Sequence, residues 1–254
     1  MYMPAHFEES RIEELRGLIQ SYPLGALVVD GPDGLDANHI PFHFDDTVGA
    51  HGALLAHIAR ANPLWTQAQD GQPVLVIFRA QDAYVSPNWY PSKHETHRQV
   101  PTWNYRVVHV HGRLRIRDDE RFVRGVVARL TRTHESQTGD ARPWKMTDSP
   151  EAYIAQMLAA VVGLEIEIER IIGKFKLSQN REARDSENAA AELARSDGVS
   201  LNQFIAAAVA EKVGPIRTAA HLLKERSKGA KPRDMLKYLR RVPNVAPAGD
   251  DLRE

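Results

Sequence analysis

The chain has 254 residues, of which 43% are hydrophobic and 26% charged, with 33 basic residues, 33 acidic residues and no cysteine. This balance is typical of a folded globular protein and excludes a disordered chain or a collagen-like fibre. A chain without cysteine has no disulfide, no thiolate metal site and no cysteine nucleophile, which favours a reducing compartment, and we expect a cytoplasmic protein.

The N-terminal half reads as one helix followed by short strands. The first ten residues lack the basic and apolar stretches of a signal peptide. Residues 9–19 carry apolar side chains at helical spacing, which predicts an amphipathic helix that ends before Pro23. Because no long helix separates the runs that follow, we predict an antiparallel sheet or small barrel rather than β-α-β units. The predicted strands are residues 25–29, 39–44, 53–58, 74–78 and 107–114.

Helical patterns return after residue 118. They predict helices over residues 120–130 and 150–164, the second with Ser149 as its cap. Residues 164–171 alternate between apolar and charged side chains, which predicts a half-buried strand. Beyond residue 180 the sequence is rich in alanine and predicts further helices, and the tail from about residue 243 is predicted to be disordered. These later helices are predicted over residues 187–196 and 200–212 and in two basic stretches after Pro215.

Charge is unevenly distributed along the chain. Residues 199–254 contain 11 basic and 6 acidic residues, a net charge of +5, so the rest of the chain has a net charge of −5. This contrast predicts a basic extension on a mildly acidic body, with nucleic acid or the body itself as its partner. Alternatively, the basic helices form a solvated surface. The candidate DNA-contacting residues are Lys212, Arg217, Lys224, Arg226, Lys228, Lys231 and Arg233.

Aromatic and polar side chains are concentrated in residues 84–93 and 100–105. Aromatic rings stack on a planar ligand, while neighbouring hydroxyl, amide and amino groups bond to its edges, so this composition predicts a cofactor pocket. Alternatively, the rings fill a barrel core or a subunit interface and the polar residues close turns. The candidate cofactor-binding residues are Ser86, Trp89, Tyr90, Lys93, Thr102, Trp103 and Asn104.

A second candidate group follows the predicted strand 53–58. His57, Arg60 and Asn62 place an imidazole, a guanidinium and an amide where the chain enters a short helix. Such a group suits a phosphate, because arginine bonds two phosphate oxygens and a helix start adds backbone N–H donors. Alternatively, Asn62 only caps the helix and Arg60 is a surface charge.

Two histidine pairs raise the possibility of a metal or haem site. His94 and His97 are predicted in a loop, and His109 and His111 on one face of a strand. A third ligand, such as His39, His43 or a carboxylate, is not specified by any spacing, so the alternative is that these histidines pack or form hydrogen bonds. The sequence has no nucleophile-elbow, dinucleotide-binding or P-loop pattern, so these enzyme classes have no support.

Four segments occur in the order found in the PaiB family of FMN-binding negative transcriptional regulators, which the chain resembles over about residues 1–181. The resemblance implies an α+β fold, an antiparallel split β-barrel like that of pyridoxamine-phosphate oxidase with flanking helices. It also implies a homodimer that binds FMN between its subunits. Lys176, Ser178 and Gln179 would then approach the partner's site, and Arg60 and Lys93 would be candidates for the flavin phosphate. The segments are residues 57–63, 84–90, 100–105 and 173–180.

The C-terminal part resembles a different family. Residues 187–205 are similar to the two helices of HicB-like ribbon-helix-helix antitoxins, which read DNA with a paired β-ribbon. The only candidate for the ribbon is residues 174–180, which the barrel also uses. The sequence therefore predicts a split-barrel domain over residues 1–181 and a basic α-helical C-terminal extension over residues 182–254.

These observations favour a homodimeric, FMN-binding negative transcriptional regulator whose C-terminal helices contact DNA. The alternative is an FMN-dependent oxidoreductase or flavin reductase with an incidental tail, in which the flavin transfers electrons and the protein positions it. A third hypothesis is a barrel that binds haem or a metal through its histidine pairs. No side chain stands out as an acid, base or nucleophile, which gives slight support to the regulator.

Overall fold

The computed structural model describes residues 1–196 of the chain. They contain eight strands and six α-helices, and Met1–Leu193 form the first compact unit of the chain. The strands are β1 Glu8–Glu9, β2 Leu24–Gly31, β3 Gly34–Pro41, β4 His43–Asp45, β5 Ala53–Ala59, β6 Pro73–Val85, β7 Thr102–Arg117 and β8 Val161–Lys176. The helices are α1 Ile12–Ser21, α2 Leu64–Gln67, α3 Pro91–Thr96, α4 Glu120–Glu135, α5 Glu151–Ala159 and α6 Ala183–Ser196.

The strands form one antiparallel sheet in the order β3-β2-β6-β7-β8-β5-β4, with β1 also paired to β8. The edge strands β3 and β4 are joined by Phe42 alone, and β3 lies against β5. The side chain of Asn62, just beyond β5, donates a hydrogen bond to Oδ1 of Asn38 on β3 (2.7 Å). The sheet therefore curves back on itself, and its concave side encloses the core.

The inner face of this sheet is apolar because side chains alternate along a strand. Val76 and Phe78 of β6 and Val108 and Val110 of β7 are completely buried. The ring of Phe42 meets that of Phe78 edge-on, with centroids 5.7 Å apart. Helix α1 adds a buried apolar stripe, as its helical spacing predicts. The stripe consists of Leu15, Leu18 and Ile19.

A register shift between His111 and Gly112 interrupts the pairing of β7 with β8. A Cβ atom on Gly112 would lie 2.3 Å from the carbonyl oxygen of Glu167, so the two backbones can approach only because this residue is glycine.

The predicted alternation of residues 164–171 is confirmed over residues 164–168 of β8 and is interrupted beyond them, where Glu169 is the extra residue of the register shift. Leu164, Ile166 and Ile168 are buried. The glutamates between them face the arginines of β7, so each acidic side chain has a basic neighbour. The resulting ion pairs are Arg113–Glu169, Arg115–Glu167 and Arg117–Glu165.

Three sequence predictions need correction. The helix expected over residues 150–164 ends at Ala159, because Val161 and Val162 pair with β5. The strand expected over residues 39–44 is two strands, since the backbone of the buried Phe42 turns to donate to the carbonyl of Pro23 (2.9 Å). His94 lies in helix α3 rather than in a loop.

The predicted helix over residues 187–196 lies within α6, which packs against α3. The predicted boundary at residue 181 stays a prediction, although the first compact unit continues to Leu193. Residues 174–176 pair with β7, so they do not provide a free ribbon ahead of the C-terminal helices. The predicted helix over residues 200–212, the basic residues from Lys212 to Arg233 and the predicted disordered tail lie outside the described residues. Within residues 1–196, no helix is long and apolar enough to cross a membrane.

Candidate functional site

The connection between β6 and β7 carries the first group of predicted site residues. Ser86 caps a short 3-10 turn by accepting a hydrogen bond from the N–H of Asn88 (3.2 Å). Lys93, on α3, donates to Oδ1 of the same asparagine (2.9 Å). Trp89 is half-buried, and its carbonyl accepts a hydrogen bond from the side chain of Asn188 on α6 (2.8 Å). This connection is thus held in place by its own polar side chains and by α6.

The aromatic residues divide between core and surface. Tyr90 is completely buried, with its hydroxyl unpartnered and the guanidinium of Arg181 5.2 Å from its ring centroid. Tyr84 and Trp103 are 48% and 53% exposed and face each other across β6 and β7, with ring centroids 5.9 Å apart. The core alternative therefore holds for Tyr90, while Tyr84 and Trp103 form an exposed edge-to-face pair, with an angle of 74° between the rings.

Lys176, at the end of β8, lies beside this aromatic pair. Its ammonium group donates to Oγ1 of Thr102 (2.5 Å) and to the carbonyl of Trp103. Burial lowers the pKa of Lys176, and the nearby cations Arg181 and Lys174 lower it further. Lys174 is buried and donates to the carbonyl of Tyr2 (3.0 Å). Within residues 1–196 neither lysine has a carboxylate partner, so this end of the sheet carries uncompensated positive charge.

The turn after Lys176 is fixed by the other residues that the resemblance singled out. Ser178 adopts a left-handed conformation (φ 67°), and its buried hydroxyl donates to Oδ1 of the buried Asn104 (3.0 Å). Gln179 accepts a hydrogen bond from the N–H of Leu177 (2.6 Å) and donates to the carbonyl of Phe175. Asn104, Ser178 and Gln179 therefore hold the turn that positions Lys176. Direct contact of these three residues with flavin stays a prediction.

The second group of predicted residues borders an open cleft of about 380 Å³ between β3 and β5. His57 and Asn62 line it, together with Asn38 and His39 of β3. The Nδ1 atom of His57 is buried without a hydrogen-bond partner, and burial lowers the pKa of this imidazole. Asn62 also accepts a hydrogen bond from the N–H of Leu64 (2.9 Å), as expected for a helix cap. The cleft thus presents imidazole and side-chain amide groups that donate and accept hydrogen bonds.

Arg60 turns away from this cleft. Its guanidinium forms an ion pair with Asp118 and also donates to the carbonyl of Ala159 (2.8 Å). It also lies over the ring of Trp65, 5.4 Å from the centroid. A phosphate would have to displace Asp118, because both terminal nitrogens of Arg60 already bond to that carboxylate. Phosphate binding by Arg60 stays an untested prediction.

The two groups lie at opposite ends of β8. His57 pairs with Gly163 near the start of the strand, and Tyr105 pairs with Lys176 at its end. At ~3.3 Å per residue, the intervening strand is about 40 Å long. The side chains of His57 and Lys176 nevertheless belong to the same outer face of the sheet, because both are opposite to the buried inner set. One chain therefore carries two separate polar regions, which we call the His57 cleft (Asn38, His39, His57 and Asn62) and the Lys176 end (Lys174, Lys176 and the Tyr84–Trp103 pair).

Sequence reasoning overlooked two members of these regions. Asn38 accepts a hydrogen bond from Asn62, which is 24 positions further along the chain, and no local sequence pattern predicts this contact. Lys174 lies in the segment 173–180 but was not among the predicted site residues. Its position on the same face as Lys176 follows from strand alternation and could have been predicted.

The histidine pairs do not form a metal site in the described part of the chain. Residues 1–196 contain no group of three or more histidine, aspartate or glutamate side chains arranged to hold a metal ion. His109 and His111 lie half-buried on β7, and burial lowers the pKa of both.

The fold and its two polar regions define a ligand-binding antiparallel β-barrel. The chain belongs to the family described as "Putative FMN-binding domain", whose model matches residues 1–170. Family membership makes FMN the cofactor of this chain and confirms the resemblance over the barrel. The comparisons give no support to the HicB-like resemblance of residues 187–205.

This chain aligns with three related proteins over most of the length of each of them. A Bacillus subtilis protein named "Protease synthase and sporulation protein PAI 2" is 29% identical over 204 residues, which cover 80% of this chain and 94% of that protein. An uncharacterized protein from Emericella nidulans is 32% identical over 214 residues, with coverages of 70% and 84%. An uncharacterized protein from Saccharomyces cerevisiae is 36% identical over 156 residues, with coverages of 54% and 92%.

A solved structure supports the fold assignment. A conserved hypothetical protein from Mycobacterium tuberculosis superposes with a TM-score of 0.50 at 16% identity, covering 72% of this chain and 94% of that one. At this level of identity the match shows a shared fold. The antiparallel sheet with flanking helices that the sequence predicted is therefore confirmed.

The residues of the two regions fit FMN in their chemistry. The orphaned Nδ1 of His57 and the side-chain amides of Asn38 and Asn62 can bond to the edge of a heteroaromatic ring. Lys174 and Lys176 supply the positive charge that a phosphate needs. The regions are complementary, since the cleft offers imidazole and amide groups for a ring and the Lys176 end offers two lysines for a phosphate.

Proposed function

We propose that the chain is a homodimeric FMN-binding transcriptional regulator that holds its flavin where two copies meet. The observation that carries this proposal is the distance between the His57 cleft and the Lys176 end on one chain. A ligand of the size of a mononucleotide cannot reach both regions of a single protomer. It can contact both only if they come from different copies.

The regulatory part of the proposal is supported by resemblance and charge. The chain resembles the PaiB family of negative transcriptional regulators, and the related Bacillus subtilis protein carries the name PAI 2. The net charge of +5 in residues 199–254 suits contact with DNA phosphates. We propose that Lys212, Arg217, Lys224 and their basic neighbours make this contact, and that flavin is the signal or a structural part of the dimer.

Two measurements on the full chain test this function. Titration with FMN, followed by quenching of flavin fluorescence, should show saturable binding to a species whose mass by light scattering is twice that of one chain. The affinity for DNA, measured by gel shift, should fall when Lys212, Arg217, Lys224, Arg226 and Lys228 are replaced by glutamine. The dependence of this affinity on salt concentration should become shallower. Unchanged DNA affinity and salt dependence would contradict DNA contact by the basic extension. Absence of flavin binding would contradict a regulator that holds flavin.

An FMN-dependent oxidoreductase is the second candidate, favoured by the open cleft beside His57. A flavin held there would be reachable by a small reductant from solvent, and FMN would then supply the electron transfer. His57, neutral because burial lowers its pKa, would be available to bond to the ring. Oxidation of reduced nicotinamide by the FMN-loaded protein, faster than by free FMN, would support this function, and equal rates would contradict it.

A further inference from the structure

A second open cleft lies beside strand β4, which contacts both helix α1 and helix α4. Its volume is about 210 Å³, and it shares no lining residue with the His57 cleft. Phe42, Phe44 and Leu130 supply its buried apolar surface. We call it the α1–α4 cleft. The polar side chains that line it are Gln20 of α1, His43 of β4, Thr133 and His134 of α4, and Gln137 just after α4.

The polar side chains of the α1–α4 cleft are not used by the fold. Within residues 1–196 none of them forms a hydrogen bond to another protein group. Burial lowers the pKa of His43, and the nearby guanidinium of Arg129 lowers it further. The imidazole of His43 is therefore neutral near neutral pH, with one nitrogen that donates and one that accepts. The cleft thus offers amide, hydroxyl and imidazole groups to a ligand.

A guanidinium lies at the edge of this cleft. Arg16 is four residues before Gln20 on α1, so the two side chains lie on the same face of the helix. The guanidinium carbon of Arg16 is 5.2 Å from the ring centroid of Phe44. Its Nε atom is buried without a hydrogen-bond partner, and within residues 1–196 the side chain forms no ion pair. A buried N–H without an acceptor is unfavourable, and a carboxylate is the acceptor that a guanidinium binds most strongly.

We propose that the α1–α4 cleft binds a small aromatic carboxylate. The carboxylate would accept hydrogen bonds from Arg16. The ring would pack against Phe42 and Phe44, since aromatic rings favour edge-to-face and offset contacts with one another. The side chains of Gln20 and Thr133 would bond to polar substituents of the ring. This inference goes beyond the proposed function, because it depends on neither the flavin nor the homodimer.

Size and charge determine the class of ligand. A volume of about 210 Å³ is below the roughly 300–1,000 Å³ of pockets for drug-sized ligands, so the cleft suits a single ring rather than a whole mononucleotide. A cationic ligand is disfavoured, because Arg16 and Arg129 lie nearby. The neighbouring carboxylate of Asp45 already accepts hydrogen bonds from the N–H (3.0 Å) and the hydroxyl (2.6 Å) of Thr47.

Calorimetric titration of the full chain with benzoate tests the class of ligand, and benzamide is the matched neutral probe. We expect saturable binding of benzoate and at least about tenfold weaker binding of benzamide, because the amide brings no negative charge to Arg16. Equal affinities for the two probes, or no binding of benzoate, would overturn the inference. This comparison uses the natural chain and so does not depend on the folding of a variant.

Two variants test the location of the site. Arg16→Gln removes the guanidinium and should weaken benzoate binding about tenfold or more. Thr133→Phe should abolish binding by filling the cleft. Arg121→Gln, on the exposed side of α4, is the control and should bind benzoate like the natural chain. Unchanged benzoate binding in either cleft variant, with a natural circular dichroism spectrum, would overturn the site.

Competition with FMN separates this inference from the proposed function. Benzoate should bind with the same affinity in the presence of saturating FMN, because the two clefts share no lining residue. Displacement of benzoate by FMN would place the probe in the flavin site and overturn the inference. Benzoate binding by a chain that does not bind FMN would support the α1–α4 cleft and contradict the proposed function.

Discussion

The guanidinium of Arg60 donates two hydrogen bonds to the carboxylate of Asp118, from Nη1 to Oδ2 (3.0 Å) and from Nη2 to Oδ1 (2.5 Å). The two residues are 58 positions apart in the chain. Hydrogen bonding from Arg60 lowers the pKa of Asp118, so the carboxylate stays ionised. Because these contacts occupy both ends of the guanidinium, Arg60 fastens the end of β7 to the turn after β5.

Lys176 should matter more for flavin binding than Arg60. We expect Lys176→Gln to weaken FMN binding about tenfold or more, because a hydrogen bond to a charged group is worth about 1.5–3 kcal/mol. Arg60→Gln is the matched control. It should change the dissociation constant of FMN less than about threefold, because the guanidinium of Arg60 is already paired with Asp118. Fluorescence titration of both variants decides the question. A larger loss in the Arg60 variant would place the phosphate at Arg60 instead.

Gly112 should be among the most sensitive positions of the barrel. Gly112→Ala forces a methyl group towards the carbonyl oxygen of Glu167, and we expect it to lower the free energy of unfolding by about 1–3 kcal/mol or more. Gly17→Ala is the control, because nothing lies within 4 Å of its added Cβ and alanine favours the helix by about 0.5–1 kcal/mol. Urea denaturation should therefore move in opposite directions for the two variants. Equal stability of Gly112→Ala and the natural chain would show that the two strands can separate without loss.

The fold should lose stability as the pH falls through the range of histidine. Burial lowers the pKa of His57 below its ordinary value of 6.5, so the unfolded chain binds a proton more readily than the folded one. This contribution is fully present above about pH 6.5 and is lost as the pH falls through the lowered pKa of the folded state. His57→Gln should therefore show a weaker dependence of unfolding free energy on pH between about 8 and 5.5 than the natural chain. Parallel curves for the two proteins would contradict a buried neutral imidazole.

Helix α6 should depend on one buried carboxylate. Asp185 is 1% exposed and accepts hydrogen bonds from the N–H (3.0 Å) and the hydroxyl (2.5 Å) of Ser92 on α3. Ser92→Ala leaves a buried hydrogen-bond acceptor without its hydroxyl donor, and we expect a loss of about 1–3 kcal/mol in the free energy of unfolding. Limited proteolysis should then cut near α6 faster than in the natural chain. Ser136→Ala, at the exposed end of α4, is the control and should change neither measurement.

Local patterns were sufficient for most elements. The alternation of residues 164–171 and the spacing of residues 9–19 each report which side of an element is buried, and burial is what stabilises it. They were insufficient at Val161 and Val162, which extend an apolar run that reads as helix. Pairing with β5 decides their conformation, and a partner strand a hundred residues away leaves no mark on the local sequence.

The sequence by itself determined the apolar alternation, the polar motifs and the family, because these depend on residue type and near neighbours. Only the tertiary structure decided that His57, on β5, lies beside the start of β8 while Lys176 lies at its end, and that Arg60 forms an ion pair with Asp118. Those facts follow from strand register. Register is set by the packing of all eight strands around a common core, which no single segment of the chain encodes.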